Sequence, residues 1–192
     1  MITTEQFKRI MPYAGNRVGI FTEPLAAAME EFQINDVARK SAFISQLAHE
    51  SGEFRYMREI ADGSAYEGRA DLGNTEPGDG RRFPGRGPMQ ITGRKNTRLC
   101  SLALYGDERL LDTPQLLEQP VDGCRAAGWF WRVGAGLNLS QRAIAYGVPV
   151  GCDLNNLADA GDFEGITLAV NGGLNGFAER KAYYARAQQV FA

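Results

Sequence analysis

Two acidic residues, Glu50 and Glu59, have the type and spacing for acid–base chemistry. On a helical wheel Phe43, Leu47 and Glu50 fall within about 60° of one another, so Glu50 continues an apolar stripe. Burial disfavours the ionised form of a carboxyl group, which suits a general acid. Glu59 follows Arg58, and a neighbouring cation favours the ionised form, which suits a general base. Two carboxyl groups in opposite environments are typical of glycoside hydrolysis.

The same pair has a plain structural alternative. The chain carries 23 acidic residues, which generate many such spacings, so salt bridging alone could account for Glu50 and Glu59. His49 is the only histidine. A catalytic triad built on a second histidine is therefore excluded, and we expect His49 to brace its helix. With one histidine and the three scattered cysteines at 100, 124 and 152, we predict no metal site and no cofactor, and we expect free thiols.

The elements that must position these residues are mostly helical, because apolar residues recur at helical spacing and alternating stretches are few. Thr3 and Gln6 have capping-box spacing, and Thr22 with Pro24 predicts the start of a second helix towards Phe32. A glycine-rich irregular excursion is expected over 53–88, with a small hairpin near 56–60. The other predicted helices are 36–51, 93–104, 114–118, 121–133, 162–170 and 176–191.

Composition favours one globular domain over residues 1–192, since 44% of the residues are hydrophobic and 23% are charged. The formal net charge of −2 provides no positive field for nucleic acid. No apolar run reaches the ~18 residues of a membrane span, and residues 1–15 lack the apolar core of a signal peptide. We therefore expect a protein made in the cytoplasm, with no membrane insertion. We also expect a monomer.

The segment 43–52, FISQLAHESG, resembles the active-site helix of glycoside hydrolase family 19, which comprises chitinases and chitinase-like phage endolysins. Further motifs resemble the same family in the same order. They are RE at 58–59, YEGR at 66–69, LGNT at 72–75, PGDG at 77–80, GRGPMQITG at 85–93, VNGG at 170–173 and ER at 179–180. Residues 134–160 match no part of the family.

The resemblance implies a lysozyme-like, mainly α fold with a short excursion flanking the cleft, and it implies roles for particular residues. Glu50 takes the position of the general acid and Glu59 that of the general base, and Thr92 would help to hold the attacking water. The family inverts the anomeric centre, which implies carboxyl groups about 6.5 to 9.5 Å apart. The positions that bind substrate or order the site are Gln90, Asn96, Asn171 and Arg180, the last of which would pair with the carboxylates.

Several of these residues also have structural interpretations. Thr92 could equally cap the helix that follows, and Arg180 could be a solvated helix-face residue. Trp129, Phe130 and Trp131 are expected in the core. Tyr66 is the preferred aromatic for stacking on a sugar, ahead of Tyr56 and Phe83. Four arginines of the excursion could attract an anionic wall polymer or simply solvate the loop; they are Arg69, Arg81, Arg82 and Arg86.

The function that follows is hydrolysis of β-1,4 bonds between N-acetylated sugars of bacterial peptidoglycan, as in an endolysin. Chitin is the alternative substrate, and an inactive glycan-binding protein is the rival from another class. By the resemblance, a holin or a secretion system would deliver the protein, which would act at the cell wall after its release.

Overall fold

The computed structural model describes residues 2–192, and over this range the chain is mainly α-helical, as the sequence predicts. The helices are α1 (Thr4–Ile10), α2 (Arg17–Glu31), α3 (Val37–Glu50), α4 (Asp79–Arg82), α5 (Arg94–Tyr105), α6 (Arg109–Asp112), α7 (Pro120–Trp129), α8 (Ala135–Leu137), α9 (Gln141–Tyr146), α10 (Leu154–Asp159), α11 (Phe163–Asn171) and α12 (Phe177–Phe191). Single turns of 3₁₀ helix lie at Ser64–Tyr66, Ala70–Leu72 and Pro114–Glu118.

Helix α3 is the buried axis of the fold and ends at Glu50. The side chain of Asp36 caps its start by accepting a hydrogen bond from the Arg39 N–H, at 2.8 Å. Residues 41–48 are all buried, and the helix packs against α10, α11 and α12. The bounds predicted from the sequence are confirmed, as is the capping box formed by Thr3 and Gln6 ahead of α1.

The apolar core has two parts. The larger one joins α1, α2 and α3 to α10, α11 and α12, and the ring of Trp131 meets Phe43 there edge-on, at 5.3 Å between centroids. The smaller one lies among α5, α6 and α7. Trp129 and Trp131 are buried, as expected, whereas Phe130 is only partly buried. Burial of this apolar surface is the main force that fixes the ends of the long helices against each other.

The second helix begins earlier than the sequence predicts. We expected a start at Thr22 and Pro24, but α2 begins at Arg17 and carries Pro24 inside it. Proline lacks the N–H for the intrahelical bond and normally interrupts a helix. The helix continues through Pro24 because Phe21 and Leu25, on either side of it, are buried in the larger core. Tertiary packing therefore outweighs the local signal.

The excursion over 53–88 contains no hairpin at 56–60, so that expectation is wrong. Arg58 forms an isolated bridge with Arg86, which in turn bridges Ile91. Each bridge is a single pair, because glycines and turns interrupt the chain before a ladder can extend. The excursion is thus closed by Arg86, near its own end, and by Ile91, just after it, rather than by a local turn.

Side-chain oxygens hold the turns of the excursion in place. The carboxylate of Glu67 accepts hydrogen bonds from the N–H groups of Gly78 and Gly80, at 2.6 and 2.9 Å. Asp79 receives a two-pronged contact from the guanidinium of Arg94 at the start of α5. The bonds to Glu67 satisfy backbone N–H groups that no sheet would satisfy here. The Asp79–Arg94 pair attaches the excursion to the start of α5.

Residues 120–160 contain elements that the sequence did not reveal. The predicted helix 121–133 is α7 followed by a π-helical turn, Phe130–Gly134, and then α8. Two short helices, α9 and α10, follow in the segment 134–160, for which no motif was recognised in the sequence. The π turn shifts the register of the helix at Phe130, which brings this ring to the edge of the core.

Residues 2–192 include no helix long and apolar enough to cross a membrane. The three cysteines are buried free thiols. Within the same range, no group of three or more His, Cys, Asp or Glu side chains is arranged to hold a metal ion.

Candidate active site

A cleft of about 420 Å³ lies where the carboxyl ends of α3 and α11 meet the start of α5. Five residues predicted for the site line it together: Glu50, Tyr66, Gln90, Thr92 and Asn96, with Asn171 as a sixth. The sequence analysis did not identify several other lining residues, which are Met89, Ile91, Phe130, Asn138, Ala169, Val170 and Gly172. The predicted residues therefore converge, although they are spread over more than half of the chain.

Glu50 is held from the core side by Arg180. The Arg180 Nη2 atom donates to Glu50 Oε1 at 2.5 Å, and its Nη1 atom donates to Gln46 Oε1 at 2.5 Å. Gln46, one turn before Glu50 on α3, in turn donates to Thr167 Oγ1 at 3.0 Å. A chain of buried polar side chains from α3, α11 and α12 thus fixes the Glu50 carboxylate.

Arg180 itself is fully buried, with 0% of its side chain exposed. A residue with no exposed surface cannot contact a substrate, so its predicted place among the substrate-binding residues is wrong, and so is the alternative of a solvated arginine. Its predicted pairing with a carboxylate is present in the structure, as the contact with Glu50. Arg180 acts on the cleft only through Glu50, because the charge-assisted bond orients one carboxylate oxygen and leaves Oε2 for the cleft.

Glu59 joins the cleft through Tyr66. The Tyr66 hydroxyl donates to Glu59 Oε1 at 2.8 Å, and the Gly85 N–H donates to Glu59 Oε2 at 3.0 Å. The backbone is paired as well, since the Glu59 N–H donates to the Gly85 carbonyl at 2.8 Å. A Cβ atom at residue 85 would lie 2.6 Å from Gln90 Oε1, so a larger residue here would have to displace the Gln90 side chain.

The environment of Tyr66 keeps its hydroxyl a donor. Burial and the hydrogen bond to Glu59 raise the pKa of the Tyr66 hydroxyl above its ordinary value. The raised pKa keeps the proton on the phenol oxygen through neutral and moderately basic pH. The ring also lines the cleft, which agrees with its prediction as the aromatic nearest to a sugar.

Thr92 does not cap the helix that follows it. The N-cap residue of α5 is Gly93, and the Thr92 hydroxyl instead donates to the Gln90 carbonyl at 2.9 Å. The capping alternative is therefore wrong, because the chain turns into the helix one residue later. With its single proton committed to Gln90, the hydroxyl presents lone pairs to the cleft.

Three predicted amide side chains line the cleft, and two of them have a buried oxygen with no hydrogen-bond partner. Gln90, at a φ of +53°, donates from Nε2 to the carbonyls of Tyr56 and Gly87. Asn96 donates from Nδ2 to the Thr92 carbonyl at 2.9 Å, but its Oδ1 is buried without a partner. The Oδ1 of Asn171 is also buried without a partner. Such acceptors are costly to leave unpaired, so an ordered water or a bound ligand must satisfy them.

Two residues that were expected to contact the substrate, one aromatic and one basic, are buried away from the cleft. Phe83 is only 1% exposed and packs under the guanidinium of Arg94, so the expectation that it could stack on a sugar is wrong. Arg86 is 3% exposed and pairs with Glu118, so it cannot attract a polymer. Burial and the nearby charge of Arg58 lower the pKa of Arg86 to about 10. Both residues were misjudged because a glycine-rich loop sequence does not show which of its side chains turn inwards.

The remaining arginines of the excursion have local partners. Arg69 pairs with Asp71 at 2.5 Å and Arg81 with Asp62 at 3.2 Å. Arg82 donates to the Leu111 carbonyl at 2.6 Å. Carboxylates thus compensate the first two charges, which favours the loop-solvating interpretation over the attraction of an anionic polymer.

His49 braces two helices, as predicted. Its Nδ1 atom lies 2.9 Å from Glu179 Oε2 on α12. The imidazole also fills the space beside Gly176, where a Cβ atom would lie 2.1 Å from the ring. The contact joins the end of α3 to the start of α12, close to the Glu50–Arg180 pair.

Comparisons with known proteins identify related sequences and folds. No family model matches the chain. A glycosyl hydrolase family 19 domain-containing protein of Haemophilus influenzae is 25% identical, and the alignment covers 96% of this chain and 94% of that protein. An endochitinase of Arabidopsis thaliana is 33% identical over 149 residues, which are 73% of this chain and 52% of that enzyme. The chain thus spans about half the length of the plant enzyme.

Solved structures share the fold. A bacterial family 19 chitinase superposes with a TM-score of 0.75 at 20% identity, covering 100% of this chain and 95% of that one. Chitinase C of Streptomyces griseus has a TM-score of 0.71 at 19% identity, covering 99% of this chain and 92% of that one. These likenesses show the lysozyme-like, mainly α fold that the resemblance implies. Sequence relationship and fold agree: the chain is a glycoside hydrolase similar to those of family 19.

Proposed function

We propose that the protein hydrolyses β-1,4 bonds between N-acetylated sugars of bacterial peptidoglycan, with inversion at the anomeric carbon. The observation that carries the proposal is the meeting of Glu50, Thr92 and the Glu59–Tyr66 pair at one cleft. Inverting hydrolysis needs an acid on one side of the scissile bond and a base with a water on the other. No metal or organic cofactor takes part in such a reaction.

Glu50 is the proposed general acid. Arg180 engages Oε1, so Oε2 is the oxygen that would carry the proton and deliver it to the leaving sugar oxygen. The carboxyl group is partly shielded, with 18% of its side chain exposed. It stands at the end of a buried helix, which holds it in place while the glycosidic bond breaks.

Glu59 is the proposed general base. Tyr66 and the Gly85 N–H each donate one hydrogen bond to its carboxylate, which leaves further lone pairs free to accept from a water. Thr92 presents lone pairs because its proton is given to Gln90. A water could therefore donate one hydrogen to Glu59 and the other to Thr92, with its own lone pair directed at the anomeric carbon. Proton loss to Glu59 then completes the displacement.

Asn96 and Asn171 are the proposed contacts for the N-acetyl groups. Each offers a buried carbonyl oxygen with no partner, and an acetamido N–H is a donor that would satisfy it. Both peptidoglycan and chitin carry this group. These contacts therefore support the class of sugar and leave the choice of polymer to other features.

Peptidoglycan is preferred because the near full-length match is to a bacterial protein, and peptidoglycan is the N-acetylated polymer of the bacterial wall. Chitin is the second candidate, favoured by the 33% identity to a plant endochitinase. For the first substrate, we propose action at the cell wall after synthesis in the bacterial cytoplasm and delivery by a holin or a secretion system.

The test is digestion of purified peptidoglycan and, in parallel, of chitin hexamer by the wild type and by Glu50→Gln. Mass spectrometry identifies the products, and proton NMR during the first turnovers identifies the anomer released. We expect peptidoglycan fragments with new sugar reducing ends in the α configuration, and none with the variant.

Three other results would contradict the proposal in different ways. Cleavage of chitin alone would move the protein to the chitinases. Initial release of the β anomer would exclude inversion. Binding of either polymer without turnover by the wild type would leave only a glycan-binding role.

A further inference from the structure

A second groove, of about 360 Å³, opens beside the cleft. The two cavities share Asn96 and Asn138 in their walls, so they adjoin. The residues that line only the second groove come from the excursion, the start of α5 and the chain before α9. They are Asp71, Leu72, Lys95, Leu137, Leu139 and Ser140. A glycan in the cleft would therefore have a neighbouring site for whatever projects from its sugars.

The charge in this groove is carried by Lys95. Asp71 is neutralised by Arg69, with 2.5 Å between their charged atoms. Lys95 forms no ion pair with any residue in the range 2–192, and its side chain is exposed. The backbone of Gly73 passes close to the Cβ of Lys95, where a Cβ atom at residue 73 would lie 2.7 Å away. The groove thus offers an ammonium group on a flexible stem, without a protein anion to occupy it.

The other surfaces of the groove are apolar or accept hydrogen bonds. Leu72, Leu137 and Leu139 supply alkyl surface. Asn96, which is 9% exposed, holds its Oδ1 unpartnered at the junction with the cleft, and its orientation is set by the bond from Nδ2 to Thr92. The combined chemistry is an acceptor for an amide N–H, an apolar wall and a cation for a carboxylate.

We propose that this groove binds the peptide substituent of a peptidoglycan strand. Lys95 would pair with a carboxylate of the peptide, and the leucines would cover its alkyl groups. Asn96 Oδ1, at the junction with the cleft, would hold the acetamido N–H of the sugar and so place the peptide at the groove. The inference rests on the proposed function, because chitin carries neither peptides nor carboxylates. A chitin strand has acetamido groups and no anion, so it would gain nothing from Lys95.

The experiment compares three substrates: soluble glycan strands with their peptides, the same strands after an amidase has removed the peptides, and chitin hexamer. The variants are Lys95→Gln, Lys95→Arg and, as a matched surface control, Lys8→Gln. Lys95→Gln should raise KM on the peptide-bearing strands roughly two- to fivefold and leave kcat unchanged, as expected for an exposed ion pair. On the stripped strands, which keep only the lactyl carboxylate next to the sugar ring, KM should rise clearly less, and high salt should reduce the difference.

The control variants test whether the positive charge of residue 95 causes the effect. Lys95→Arg should restore most of the affinity for peptide-bearing strands, and Lys8→Gln should behave as the wild type on all substrates. An equal rise of KM on stripped and peptide-bearing strands would overturn the inference, since Lys95 would then contact the sugar or its lactyl group rather than the peptide. An unchanged KM on every substrate would overturn it too. Cleavage of chitin hexamer alone by the wild type would overturn the proposed function first, and the peptide site with it, before any variant is compared.

Discussion

Glu50 and Glu59 reach the same cleft from two different kinds of structure. Glu50 ends a helix that is buried over most of its length, and it is tied to α12 and α11 through Arg180, Gln46 and Thr167. Glu59 lies in irregular chain, where a tyrosine hydroxyl and one backbone N–H hold its carboxylate. The acid is thus part of the core, whereas the base belongs to the excursion.

Because Glu50 belongs to the core and Glu59 does not, we expect substitutions around the two residues to affect stability and activity differently. Contacts to Glu50 are contacts between core helices, so weakening them should lower the free energy of unfolding together with the rate of hydrolysis. Contacts to Glu59 order a segment with few buried apolar side chains, which can loosen without unfolding the rest. The variants below test that separation, beginning with the largest expected effect.

Removing either carboxylate should abolish most of the activity. Glu50→Gln and Glu59→Gln should each lower kcat roughly 10²- to 10⁴-fold, because general acid or base catalysis is lost, while the fold is kept. Glu23→Gln, an exposed acid on α2, serves as the matched control. Reducing-end release measures the rate, and circular dichroism checks the fold.

The residual pH–rate profiles of these variants test the assignment of roles. Without the base, Glu59→Gln should lose the acidic limb of the profile, and without the acid, Glu50→Gln should lose the basic limb. The reverse pattern would exchange the two roles and contradict the comparison drawn here.

Arg180→Met should affect both properties. It leaves the carboxylate of Glu50 and the amide of Gln46 without their buried partner, which should cost roughly 3 kcal/mol of unfolding free energy. It should also lower kcat with little change in KM, because Glu50 loses its orientation. Urea unfolding and steady-state kinetics measure the two effects, with Arg142→Met on exposed α9 as the control. Full stability in the variant would show that Glu50 is not part of the core network.

Tyr66→Phe should affect activity alone. Loss of one hydrogen bond to Glu59 should lower kcat roughly three- to tenfold and change the unfolding free energy by less than about 1 kcal/mol. Because the pKa of the Tyr66 hydroxyl is raised, it stays protonated beyond neutral pH, so the basic limb of the pH–rate profile should not move. Tyr56→Phe is the matched control. A loss of stability as large as that of Arg180→Met would remove the distinction between the two regions.

Prediction from the sequence succeeded where the signal was local. The cap at Asp36, the apolar stripe through Phe43 and Leu47, and the end of the helix after Glu50 all lie within a few residues of one another. Prediction failed where the structure of a segment depends on residues that are distant in the sequence. Pro24 was taken as a start because the burial of α2 could not be read locally, and Phe130 was assigned wholly to the core because nothing in the sequence indicates a π turn.

The sequence by itself determined the helical class, the position of Glu50 at a helix end and the set of polar residues that meet in the cleft, because periodicity, caps and motifs are properties of short segments. The tertiary structure alone decided that Arg180 is buried beneath Glu50, 130 residues away in the chain, and that Lys95 stands without an anion beside the cleft. Such pairings depend on how helices pack, and packing is set by the whole core rather than by any one segment.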